Sequence, residues 1–145
     1  MKRGANIKGF NKVMNNLNAE IKAIKGRSLG GLIDGAIIIR NDMDKTPPLI
    51  PVDTNNLRAS WYTTPLKSLR KIGLIIGFSA NYAAFVHEMV DADFTSTRTR
   101  YGPGPNRKRI YTPRTGAGAK FFEASVKRNK EAVLQVIRDS VNIKK

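Results

Sequence analysis

His87, Glu88, Asp91 and Asp93 form the one place in this 145-residue sequence where an imidazole and several carboxylates fall close together. Such a group could hold a divalent metal or run acid–base chemistry if the fold turned it inward. However, His87 is the sole histidine, and no second one follows at the helical spacing that zinc proteases use. We therefore read these as surface groups paired with basic neighbours, an arginine across a subunit boundary being one partner open to Glu88. A second suggestive run is Thr115-Gly116-Ala117-Gly118-Ala119-Lys120. A phosphate-binding loop needs a buried strand before it and Ser or Thr after the lysine. Here Phe121 follows Lys120 and loop-like residues precede, so the run reads as a flexible hinge before a last helix. Neither constellation supports catalysis, and no metal or cofactor is expected.

The remaining chemistry lies in charge. Lys and Arg number 26 against 11 Asp and Glu, for a net charge of +15. Self-repulsion on that scale favours a polyanionic neighbour. The excess is uneven: residues 1–30 carry seven bases and one acid, while residues 31–94 carry six bases and seven acids. Residues 95–119 carry six bases and no acid, and residues 120–145 carry seven bases and three acids. A near-neutral scaffold thus presents basic ends and a basic arm. The arm places Tyr101 and Tyr111 among Arg98, Arg100, Arg107, Lys108, Arg109 and Arg114. Tyrosine stacks on bases and anchors protein interfaces, so the arm fits DNA, or an acidic neighbouring ring on which it orders during assembly. We favour protein docking, because interface strength needs aromatic anchors as well as charge.

The elements that must position these residues follow from periodicity. Ile7, Phe10, Val13, Met14, Leu17, Ile21 and Ile24 recur at spacings of three and four, which marks one face of an amphipathic helix. Gly26 is its expected C-cap. A second helix is expected over residues 29–43, with Leu32, Ile33, Ala36 and Ile37 in period. Ile38 and Ile39 make it apolar on a further side, which suits deep burial or a second subunit. Pro47, Pro48 and Pro51 break it into extended backbone. Asp53 or Thr54 then caps a short helical turn and fixes the angle between this proline strap and a sheet. Residues 59–64 and 72–78 read as antiparallel strands, and residues 81–89 as a short helix. Residues 90–118 lack helical period, and such length without structure of its own is uncommon in a compact domain. Residues 94–100 and 109–112 of this stretch suit a two-stranded β-arm, with Gly102-Pro103-Gly104-Pro105 as its turn. A final helix spans residues 120–141. The expectation is one α+β domain over residues 1–145: two N-terminal helices, a small antiparallel sheet, a long basic loop or β-arm at about 95–118, and a C-terminal helix.

Three segments, in order, resemble the tail-completion or head–tail joining family of long-tailed bacteriophages. The first, residues 51–60, is similar to the family's proline, apolar, aspartate, threonine, glycine, any, leucine, arginine signature at Pro51, Asp53, Thr54, Leu57 and Arg58. The second, residues 81–88, resembles its tyrosine-alanine element ending in glutamate, at Tyr82, Ala83 and Glu88. The third, residues 119–125, resembles its aromatic pair before a small residue, at Phe121 and Phe122. Asn55 stands where the family has glycine, and Asn is the next best residue for a left-handed turn. The resemblance implies a virion structural protein of the neck rather than an enzyme. It would form a ring of six or twelve copies between the head connector and the tail terminator or tail tube, with packaged DNA nearby. Assembly would take place in the host cytoplasm. The rival reading is a basic nucleic-acid-binding protein acting outside the virion, though no helix-turn-helix, zinc or single-strand-binding signature is readable. There is no cysteine, which excludes disulfides and thiolate metal sites. The most apolar stretch, residues 29–39, is too short to cross a bilayer and contains Asp34, and the basic N-terminus lacks the apolar run of a signal peptide.

Overall fold

The computed structural model describes residues 9–52, 55–66, 71–94, 98–101, 108–111 and 114–142. Its largest element is α1, Phe10–Lys45, one unbroken helix of 36 residues. Two N-terminal helices were expected with a stop at Gly26, and the structure corrects this. Glycine ends a helix only where the chain turns left-handed, and nothing after Gly26 breaks the hydrogen-bond ladder until Pro47 removes a donor. The helix stops there: Thr46 turns extended and its N–H donates to the Asp42 carbonyl at 2.8 Å. Lys45 lies in the last turn, where a cation suits the helix dipole.

The proline strap, with a cis Pro47–Pro48 bond, runs back along the body. Leu49 donates to the Gly116 carbonyl at 2.8 Å and accepts from the Gly118 N–H at 3.2 Å. The segment expected to be a flexible hinge is therefore pinned to the strap, and Ala117 is buried there. Helix α2, Asn56–Ala59, follows Asn55, which takes the left-handed conformation at φ 66°. Asp53 and Thr54, the expected cap, lie outside the described residues.

Strands β1, Trp61–Pro65, and β2, Leu74–Phe78, pair antiparallel, with Trp61 opposite Phe78 and Tyr62 opposite Gly77. Alternation sends Trp61, Ile76 and Phe78 toward the core while Tyr62 and Ile75 stay exposed. Helix α3, Ala83–Glu88, comes next. Strands β3, Arg98–Tyr101, and β4, Lys108–Tyr111, form a separate antiparallel pair with Arg98 opposite Tyr111. The Gly-Pro tip lies outside the described residues. Helix α4, Phe121–Val141, ends the described chain.

Helix α4 packs antiparallel on the C-terminal half of α1. The buried Ser125 Oγ donates to the Ile39 carbonyl at 3.0 Å. A Cβ on Gly35 would lie 2.8 Å from Val133 Cγ1, and one on Gly31 would lie 2.8 Å from Ser140 Cβ. These glycines bring the two axes together. The core is small: Ile39, Met43, Ile50, Leu57, Ala83 and Phe121, flanked by Trp61, Phe78 and Phe122.

Candidate assembly site

Three of the residues singled out by motif converge. Leu57 follows the strap, Ala83 begins α3 and Phe121 begins α4, and all three are buried in one cluster against Ile39 and Met43 of α1. Phe78 meets Phe121 edge-on at 5.7 Å, and Trp61 meets Phe122 at 6.2 Å. Pro51 is buried beside them and Tyr82 is exposed. Full burial of an aromatic such as Phe121 contributes roughly 2–3 kcal/mol. These positions hold the end of α1, the strap, the ribbon and the last helix in one fixed relation.

Two polar locks surround this cluster. In the first, Asp44 on the last turn of α1 collects three arginines. Arg58 donates through Nε to Oδ1 at 2.9 Å and through Nη2 to Oδ2 at 3.0 Å. Arg40 donates to Oδ2 at 2.5 Å, and Arg114 to Oδ1 at 3.1 Å. Arg114 also donates to the Asp44 carbonyl. Burial alone would raise the Asp44 pKa, but the hydrogen bonds from Arg58 and Arg114 and the charge of Arg40 outweigh it, so the carboxyl titrates below its ordinary value. Beside this lock, Arg128 of α4 grips Asp42, with Nη2 donating to Oδ2 at 2.6 Å. It also reaches the carbonyls of Pro47 and Thr46 at 3.1 and 3.3 Å.

The second lock lies at the α3–α4 junction. The Lys120 ammonium pairs with Glu88, and the Lys120 N–H donates to the His87 carbonyl at 2.8 Å. Lys120 takes the left-handed conformation at φ 56° before α4. The Glu123 N–H donates to His87 Nε2 at 3.4 Å, so the imidazole proton belongs on Nδ1, which faces Glu88 Oε1 at 2.8 Å. Hydrogen bonds from Lys120 and His87 hold the Glu88 carboxyl below its ordinary pKa. Both nitrogens of the only histidine thus have partners within the chain. Among the described residues, no group of three or more His, Cys, Asp or Glu side chains is placed to bind a metal ion. No family model, curated protein or solved structure matches the chain. Of the basic neighbours expected for Glu88, the chain itself supplies Lys120, with His87 on the other carboxylate oxygen.

Of the expected docking arm, Arg98, Arg100 and Tyr101 lie on β3, and Lys108, Arg109 and Tyr111 on β4. Arg107 lies outside the described residues. Arg114 follows the arm in sequence and is engaged by Asp44 at the end of α1. Sequence reasoning missed Asp44 itself. Only its i,i+4 partner Arg40 left a readable signal, since Arg58 and Arg114 lie 14 and 70 residues away.

A further feature needs no lock. Helix α4 ends beside Gly31, but α1 continues to Phe10. Every residue from Gly9 to Lys22 is exposed, a projection of about 20 Å at 1.5 Å per residue. Phe10, Val13, Met14, Leu17 and Ile21 line it, and Leu17 is 51% exposed. Phe10, Leu17 and Gly31 are separated by multiples of seven residues, so this stripe lies on the same face that α4 covers farther along.

Proposed function

We propose that the chain is a structural subunit of the neck of a tailed phage. It completes the head-proximal end of the tail and joins it to the head connector as a ring of six or twelve copies. The observation that carries this reading is the projecting half of α1. An apolar stripe that continues the seam of a packed helix pair is a face built to be covered, and burying it at about 25 cal/mol per Å² drives association. Ring symmetry would bury the same patch in every copy. The three ordered motif segments support the family assignment. At least one residue of each segment, Leu57, Ala83 and Phe121, meets the others in one core. The basic β3–β4 arm would dock on the adjoining ring.

The rival, a nucleic-acid-binding protein outside the virion, draws on charge alone. Mass spectrometry of purified virions, with negative-stain microscopy of the purified chain, separates the two. The expected result is the chain in mature particles at a fixed copy number, and ring-shaped assemblies in the microscope. Absence from mature particles would defeat the proposal.

A further inference from the structure

The projecting stripe has a counterpart at the opposite end of the molecule. Helix α3 lies against the N-terminal end of α4, where His87 and Phe121 rings stand 5.2 Å apart. That end adjoins Ile39 and Met43 of α1, roughly 33 Å along the helix from Leu17. There Tyr82, Phe85 and Val90 are exposed, Phe85 by 68%. The two apolar faces differ in charge. Residues 9–28, which include the projection, carry four bases and one acid, whereas residues 81–94 carry three acids and no lysine or arginine, one of those acids, Glu88, being paired with Lys120.

Two apolar faces of opposite charge at opposite ends make a head-to-tail contact rather than a self-matched one. Pairing two projections side by side would bring basic segments together and leave the α3 face bare. Pairing a projection with the α3 end covers both faces and sets unlike charges against each other. A contact of this kind is heterologous, and repetition gives rings or filaments. We propose that the Phe10–Leu17–Ile21 stripe of one copy packs on the Tyr82–Phe85–Val90 face of a second copy of this chain. The proposal rests on the assembly reading above and deepens it by naming the two faces.

The test uses the full chain, since both faces are exposed and charged substitutions there leave the core intact. Leu17→Glu blocks one face and Phe85→Glu the other, with circular dichroism confirming the fold of each. In analytical ultracentrifugation the unmodified chain is expected to form concentration-dependent oligomers, while each variant alone sediments as a monomer, with association weaker by roughly tenfold or more. An equimolar mixture retains one intact contact, and is expected to recover dimers and nothing larger. Self-association of Phe85→Glu at the unmodified level, a mixture that stays monomeric, or an unmodified chain that is monomeric throughout would each overturn the proposal. Presence in virions without this contact would sink the inference and spare the neck assignment. The reverse outcome would sink the assignment alone.

Discussion

Asp44 is where three arginines from distant parts of the chain meet a single carboxylate, and its side chain is only 18% exposed. Removing that charge would leave guanidiniums crowded together with nothing to balance them. Asp44→Asn is therefore expected to destabilise the fold by about 2 kcal/mol, measured by urea denaturation. The same site sets a pH response. A carboxyl held below its ordinary pKa stabilises the fold above the ordinary carboxylate range, and that contribution is lost as pH falls through the depressed value. Asp42, where burial is likewise outweighed by Arg128, acts in the same direction. Stability is therefore expected to be level between about pH 5 and 7 with respect to these two groups, and to fall below about pH 4. Asp44→Asn should show a shallower acid limb than the unmodified chain.

The helix pair α1–α4 uses its glycines in two ways. At Gly31 an added Cβ meets Ser140 at 2.8 Å and the Ile137 Cα at 3.1 Å, and backbone gives way poorly. Gly31→Ala is expected to cost roughly 1–3 kcal/mol through overpacking. Gly26 and Gly30 have nothing within 4 Å, so alanine there should raise stability by up to about 1 kcal/mol through helix propensity. Thermal melts of the three variants check both signs. The contrast also shows what the sequence makes legible. Period and turn chemistry mark α3, α4 and the β1–β2 ribbon within a few residues, because those signals are local. Gly26 misleads because a glycine that caps and one that rides inside a helix look alike without knowledge of the next turn's backbone. Gly31 and Gly35 acquire meaning only from α4, a hundred residues later. The Asp44 lock is hidden for the same reason.

As a whole, the molecule carries a charge of +15, and such a chain will bind phosphate polymers whatever its biological partner. Its affinity for random duplex DNA is expected to drop steeply with salt. Deleting residues 98–111 removes Arg98, Arg100, Arg107, Lys108 and Arg109 while leaving Arg114 on Asp44. If those five bases meet phosphates, the slope of log affinity against log salt should shrink by up to about four. Fluorescence anisotropy across a salt series measures it. An unchanged slope would assign the nonspecific binding to the basic termini instead.

The unbroken length of α1 has a geometric consequence. It is a strut of about 54 Å that carries the exposed apolar stripe at one end and Asp44 with its arginines at the other. A partner seated on Phe10 therefore stands about 51 Å from Asp44, with the length of one helix between them.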